Sequence, residues 1–452
     1  MGAARVRRSS GDSGMSVLPY LSRTVLLCRD CVLDRLSDEE ICYHFQSVQV
    51  LCVADLRNLS SHAGQVALIT LICLLSRMGM QVRIAFPDVP LFLPQPPLSG
   101  ASLHEALTSG NRRLIPGAAV IPAGNSHPDL IFALGNSEVD NVCVPCWHLT
   151  GADWDGALSL HGKEEPRPFT CEWPIGSMVS AALAAGEAFK FVIRRMPLRN
   201  AAARVFFEMS ASCGFKFDAV PVPEGIVDFG DVDIISAGAI SQAALYVLMR
   251  LPRVQISTRI FDSDVTAVSN LNRNMLTLID DVGLPKVVVA AQRCNPKLRL
   301  DAIGERFPEN IFESRALSPR VLVGVDDIPS RWEVQRRVPG WLGVGGTSHF
   351  SVLSSSHEPG EPCCGCLHPR DEPDGESVAP IPTVSFVSFW AGLLAAVRLI
   401  RESLGVRCAP NCQQLWLTPL RMDLPSAAMW MPVAPRRDCP VKCWAVRATR
   451  SS

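Results

Sequence analysis

The sequence predicts an α/β fold built as two Rossmann-like wound sheets in tandem. Three observations predict it. Short buried-strand patterns alternate with helical ones, which is the signature of a parallel wound sheet. Four such elements recur in the same order in each half of the chain. The composition, 48% hydrophobic and 19% charged over 452 residues, supplies apolar material for a core in each half.

The second half is the clearer of the two. VDIISAG, residues 232–238, reads as a buried strand entering a tight turn, and AISQAALYVLMRL, 239–251, has helical spacing of apolar residues. QISTRIFDSDV, 255–265, is a second strand ending in acidic residues. A loop and helix follow in 268–294, and RVLVGVDDI, 320–328, is a later buried strand. In the first half, HAGQVALITLICLLSRMG (62–79) matches the turn and first helix, and QVRIAFPDV (81–89) matches the second strand. PDLIFALGNS (128–137) matches the later strand. WPIGSMVSAALAAGEAFKFVIRR (173–195) matches PTVSFVSFWAGLLAAVRLIRE (382–402). The period is far longer than any solenoid repeat, so we read an internal duplication. In that alignment Phe86 falls at Asp262 and Gly135 at Asp326, so the first copy has lost the polar groups and reads as a scaffold or partner-binding half.

The expected layout has a disordered tail at 1–15, with Met15 as a candidate start, and an inactive half at 16–200. A connecting helix and loop occupy 201–230 and the active half 231–407. A C-terminal segment, 408–452, carries metal-binding thiols. The stretch from Gly360 to Pro382 is rich in proline and acids and reads as an exposed crossover.

The formal net charge of -1 and pI near 6.7 give no reason to expect a nucleic-acid partner. The longest apolar run noted, Val66–Leu75, is shorter than the roughly 20 residues a membrane span needs and reads as a buried helix. The 17 cysteines, an odd number with no secretion signal, argue for reduced thiols in the cytoplasm, some of them binding metal.

Several residues carry candidate chemistry. Ser236-Ala237-Gly238 forms a strand-to-helix turn that aims backbone N–H groups at a phosphate, with Gly238 leaving room for close approach. Ser236 and Ser241 replace the first and third glycines of the usual G-x-G-x-x-G. Asp262, 24 positions after Gly238, suits ribose hydroxyls, and Asp264 lies on the same side of the extended chain. Two carboxylates there also suit a magnesium ion. In SNLNRNMLTLIDDVGLPK, Asn270 and Asn272 offer amides, Arg273 a guanidinium fork, and Lys286 a point charge for phosphate oxygens.

Asp262-Ser-Asp-Val, then Ser-Asn-Leu-Asn-Arg, then Asp281-Val-Gly-Leu-Pro-Lys, with 13 positions from Arg273 to Lys286, resembles the ThiF/MoeB and ubiquitin-activating enzyme superfamily. The resemblance covers residues 231 to about 443. It implies ATP-dependent adenylation of the C-terminal carboxylate of a ubiquitin-like or sulfur-carrier protein, or of a peptide. It implies that Asp262 holds the ribose, that Asn270, Arg273 and Lys286 hold phosphates, and that Asp326, with Asp264, holds Mg²⁺. The family usually also takes an arginine from a partner half. Tyr20-Leu-Ser-Arg23 loosely resembles the motif for it.

The resemblance implies a structural zinc on Cys363, Cys366, Cys439 and Cys443, two close pairs suited to a tetrahedral site. Cys408 and Cys412 form a rival second pair. Thioester-forming relatives carry a cysteine in the crossover. Here Ser377 stands near that place, and Cys364 and Cys294 are the spare thiols, so adenylation without a thioester on this chain is the favoured expectation. A conjugating enzyme is a downstream partner open to it, and a homodimer one assembly. The alternative is a catalytically inactive, partner-binding pseudoenzyme of the same fold. A nicotinamide-dependent oxidoreductase has no use for Arg273 and Lys286.

Overall fold

A computed structural model describes residues 17–443 apart from 112, 125–126, 141, 218–219, 296, 308–315, 369–379 and 407–412. The expected tail, Ser377, Cys408 and Cys412 lie outside the described residues.

The first sheet contains β1 (Gln49–Val53), β2 (Gln81–Ala85), β3 (Val120–Pro122), β4 (Leu130–Leu134), β5 (Cys146–Ala152), β6 (Asp155–Leu160) and β7 (Ser212–Lys216). The second contains β8 (Val227–Ile235), β9 (Val254–Phe261), β10 (Leu300–Ile303), β11 (Arg320–Val323), β12 (Trp341–Ser348), β13 (Ser351–His357), β14 (Gln414–Leu417) and β15 (Ala428–Met431). The spatial orders are β3-β2-β1-β4-β5-β6-β7 and β10-β9-β8-β11-β12-β13-β14-β15. The two orders agree strand for strand through β7 and β14, as a duplication requires. In each sheet the first five strands in this order are parallel and the rest antiparallel.

The antiparallel extensions depart from the expected layout. The connecting segment does supply a helix, Ala201–Phe206, but then β7, whose Cys213 and Phe215 face inward in a five-residue alternation. The C-terminal segment supplies β14 and β15 as well as thiols.

Four apolar helices lie at the centre: His62–Arg77, Ile175–Arg194, Ala239–Arg250 and Ser385–Ser403. They contribute to one hydrophobic core that runs through both halves. Thr70 Oγ1 lies 3.0 Å from Tyr246 OH, and Ser385 Oγ donates to the Leu74 carbonyl at 3.0 Å. Gly392 lets the last helix touch Ala239–Arg250, because a Cβ there would lie 2.4 Å from Ala243 Cβ. Ile175–Arg194 has the length and hydropathy of a membrane span, yet 94% of its apolar window is buried inside the protein. Its apolarity is therefore accounted for by packing.

Register fixes which residues of the two halves correspond. Val53 faces Ala85 as Ile235 faces Phe261, so Phe86 does stand where Asp262 stands. On the other side Val53 faces Ala133 as Ile235 faces Val323, so the counterpart of Asp326 is Asn136 and not Gly135. Pro128 and Pro319 precede the strands and do not set their pairing, so matching them shifts the count by one. The first half thus has an amide where the second has a carboxylate. Its pocket is also filled. Asn58 Nδ2 donates to Asp55 Oδ1 at 2.9 Å and Ser137 Oγ at 3.1 Å, and Asn58 Oδ1 accepts from the Phe169 N–H at 2.9 Å.

Candidate active site

In the second sheet β9 and β11 flank β8, and the chain winds outward from β8 through β9 to β10 before crossing to β11 on the other side. That is a topological switch point, beyond which wound sheets open a crevice at their carboxyl ends. Ser236 follows β8 with φ +83, a left-handed conformation normally left to glycine. Its Oγ accepts from the Gly238 N–H at 3.0 Å, and Gly238 caps the helix Ala239–Arg250. Asp262 lies just past β9. Its Oδ2 accepts from the Ala237 N–H and its Oδ1 from the Asp264 N–H, each at 2.8 Å. The carboxylate is therefore locked to the turn. A third glycine usually allows close helix–strand packing. Here the bare residue is Gly324 on the strand side, where a Cβ would lie 2.6 Å from Ser241 Oγ.

The loop after β9 supplies the cationic wall. Asn270 closes the short 3-10 turn Val268–Asn270 by accepting from the Ala267 N–H at 2.8 Å. Arg273 donates to Asn272 Oδ1 at 2.9 Å and to the Ser269 carbonyl. Lys286 opens the helix Lys286–Cys294, and its Nζ lies 2.6 Å from Asp264 Oδ2. Asp264 is thus the salt-bridge partner of Lys286 here. Of the two adjacent acids after β11, Asp327 caps the helix Ile328–Arg336 by accepting from the Ser330 N–H at 2.7 Å. Asp326 is left exposed at the crevice.

One cavity of about 460 Å³ is lined by Gly238, Asp262, Asp264, Asn270, Arg273, Lys286 and Asp326. All seven predicted ligand residues of the second half share it. Arg23 lines it too, from the helix Leu18–Arg29 of the first half. Its Nη1 donates to the Ile381 carbonyl at 3.4 Å. Burial lowers the Arg23 pKa and the charge of Asp326 partly restores it. Burial, then the Arg23 charge, push Arg273 down to about 10, so it remains a cation at neutral pH.

Asn274 and Arg306 are lining residues that the motifs did not single out. Asn272 is used internally, donating to Thr24 Oγ1 at 3.0 Å and to the Thr383 carbonyl at 3.3 Å. The amide that lines the cavity beside Asn270 is instead Asn274, 1% exposed and with Nδ2 unpartnered. It stands in the same S-N-L-N-R-N run, where spacing does not tell which amide turns inward. Arg306 also lines the cavity; it follows β10 and lies in no motif.

Cys363, Cys366, Cys439 and Cys443 bring their sulfurs within 4.8 Å of one another. Cys363 Sγ is 3.4 Å from Cys439 Sγ, and Cys366 Sγ is 3.4 Å from Cys443 Sγ. Four thiolates at the usual zinc distance would be about 3.8 Å apart, so the set fits a tetrahedral ion with small adjustment. The cluster pins the short helix Cys364–Leu367 to the C-terminal segment. Cys364 points away from it, donating to the Arg331 carbonyl, and burial pushes its thiol up to about 12. Burial raises Cys294 as well. Neither has the accessible, electropositive setting of a reactive thiol.

Comparison with known proteins decides the kinship of this cavity. A model of the ThiF family matches residues 230–441, which hold all seven predicted nucleotide-site residues of the second half. Residues 230–441 are a ThiF family domain. The first half, residues 47–208, matches a model described as the BilD N-terminal domain. The chain is 28% identical over 190 residues to a sulfur carrier protein adenylyltransferase of Thermus thermophilus, covering 39% of this chain and 69% of that protein. It is 26% identical over 185 residues to a SAMP-activating enzyme E1 of Haloferax volcanii, covering 39% and 67%. An uncharacterized protein of Sinorhizobium fredii is 27% identical over 164 residues, 35% of this chain and 31% of that protein, so the chain spans under a third of its length. Within the ThiF domain the motif residues thus meet at the carboxyl ends of β8, β9 and β11, at a mouth which the first half closes with Arg23.

Proposed function

We propose that the ThiF domain uses ATP to adenylate the C-terminal carboxylate of a ubiquitin-like or sulfur-carrier protein or of a peptide. The observation that carries this reading is the shared cavity of Arg23, Arg273, Lys286 and Asp326. Asp262 and the Ser236–Gly238 turn hold the ribose and the adjoining phosphate. Arg273, Asn270 and Lys286 hold the remaining phosphates, Lys286 exchanging its Asp264 partner for phosphate oxygen. Asp326 is the carboxylate that would hold Mg²⁺, which supplies charge neutralisation as the leaving group departs.

A carboxylate oxygen of the substrate attacks the α-phosphorus and the bond to the bridging oxygen of the β-phosphate breaks. The electron pair leaves with pyrophosphate, and an acyl-adenylate remains. Two anions must meet, so fixed cations are the main need. Arg23 and Arg273 are held by neighbouring carbonyl and amide oxygens before substrate arrives, and positioning supplies much of the rest. No protein nucleophile is needed, which accords with the burial of Cys364 and Cys294. The four-thiol cluster would hold a structural zinc.

A second reading, a partner-binding pseudoenzyme, is favoured by one observation. The Ala237 and Gly238 N–H groups, which would face a phosphate, are already bound to Asp262 and Ser236. ATP–pyrophosphate exchange separates the two. The enzyme incorporates labelled pyrophosphate into ATP when a carrier with a free C-terminal glycine is supplied. A pseudoenzyme incorporates none with any carrier or peptide.

A further inference from the structure

The first half holds a separate group of metal-ligating atoms on its β5–β6 hairpin. One ligand atom each of Cys146, His148 and His161 lies within 4.8 Å of the other two. Cys146 and His148 are two apart on a strand and project from one face. His161 directly follows β6, and its backbone N–H donates to the Cys146 carbonyl at 2.8 Å, which sets the two strand ends side by side. Cys146 and His148 are 1% and 5% exposed, with His161 at the exposed rim.

His148 is oriented as a ligand. Its Nδ1 lies 2.8 Å from the Gly135 carbonyl, which only accepts, so Nδ1 carries the proton and Nε2 keeps its lone pair. That lone pair faces His161 Nδ1 at 3.0 Å. A simple histidine pair would account for two members of the group and not for the buried thiol beside them. The sequence offers a fourth donor in the exposed Cys143, three residues before Cys146 in a C-x-x-C; its sulfur stands outside the group of three and would have to swing in on binding.

We propose that Cys146, His148 and His161 form a second metal site, for a borderline-soft divalent cation of the Zn²⁺ kind, with Cys143 as the fourth ligand. Thiolate and imidazole are the donors such ions take, and no carboxylate in the group would favour Mg²⁺. On binding, the cysteine thiols release their protons to solvent. His161 moves its proton to Nε2, freeing Nδ1. The ion would tie β5 to β6 and, through His148 and Gly135, to the end of β4, beside the pocket that Asn58 fills.

The test is zinc content of the full chain, loaded with excess Zn²⁺, desalted and measured by mass spectrometry. His161→Ala changes an exposed side chain and is expected to fold. It should carry about one zinc fewer per chain than wild type. Cys146→Ser should lose the same equivalent, and Cys363→Ser a different one. Cobalt loading should give a wild-type-minus-His161→Ala difference spectrum with tetrahedral bands and thiolate charge transfer. Equal metal content in wild type and His161→Ala, with no cobalt difference, overturns the proposal. That result would leave the adenylation reading intact, since His161 does not line the ATP cavity.

Discussion

Arg77, fully buried in the first half, donates through Nη1 to the Leu271 carbonyl of the second half at 2.6 Å. Its Nη2 reaches the Met275 and Thr277 carbonyls at 3.0 and 2.8 Å. One guanidinium of the first half therefore shapes the loop that carries Asn270, Arg273 and Asn274. Arg77→Met leaves three buried carbonyls without a donor, and each unmet group costs about 1–3 kcal/mol. We expect a loss of about 3 kcal/mol in urea unfolding, together with weaker MgATP binding. Wild-type stability would show that the loop holds its shape unaided.

Arg23→Ala should leave the fold intact, since the side chain sits at a cavity rim, and should lower adenylation about 10²- to 10³-fold. Steady-state pyrophosphate release at saturating ATP and carrier measures it. An unchanged rate would mean that Arg23 only borders the site. Arg23→Lys should recover part of the rate at most, because a point charge replaces a fork.

Ser236 holds φ +83 and occupies the Gly238 N–H with its hydroxyl. Ser236→Gly relieves strain of roughly 1 kcal/mol and frees that donor for phosphate. MgATP should bind more tightly by calorimetry. Weaker binding would instead identify the hydroxyl as a ligand of the nucleotide.

His357 is buried, with Nε2 2.9 Å from Ser355 Oγ and Nδ1 2.9 Å from the Pro362 carbonyl. Burial is the main cause that pushes its pKa down from 6.5 to about 4, and the Arg398 and His368 charges add to it. Between those pH values the unfolded chain binds the extra proton. Stability is therefore complete above pH 6.5 and falls as the pH drops towards 4, by about 3 kcal/mol from this group. Urea midpoints at pH 6.5 and 4.5 measure the slope. His357→Gln should flatten it, and an equal slope in both proteins would assign the acid sensitivity elsewhere.

The duplication, the wound parallel sheets and the shared cavity were legible because they rest on long apolar periodicities and on a motif with fixed spacing. What escaped depends on pairing and side-chain direction. Asn136 and not Gly135 matches Asp326, since register is set across strands and not along them. β7, β14 and β15 are strands of four or five residues at the antiparallel ends of their sheets, too short for their patterns to stand out. Asn272 and Asn274 have the same chemistry two residues apart, and only packing turns one inward. Asp264 suits a metal by residue type, and only the fold sets the Lys286 ammonium beside it. The Cys143-x-x-Cys146-x-His148 spacing was present in the sequence, but His161 joins it only through the β5–β6 hairpin.

The most direct test of the nucleotide cavity is ATP–pyrophosphate exchange in Lys286→Ala, Asp326→Ala and Phe86→Ala chains of native circular dichroism. The first two should lose exchange, and Phe86→Ala, altered at the corresponding point of the filled pocket, should keep it. Full exchange in Asp326→Ala would contradict the account.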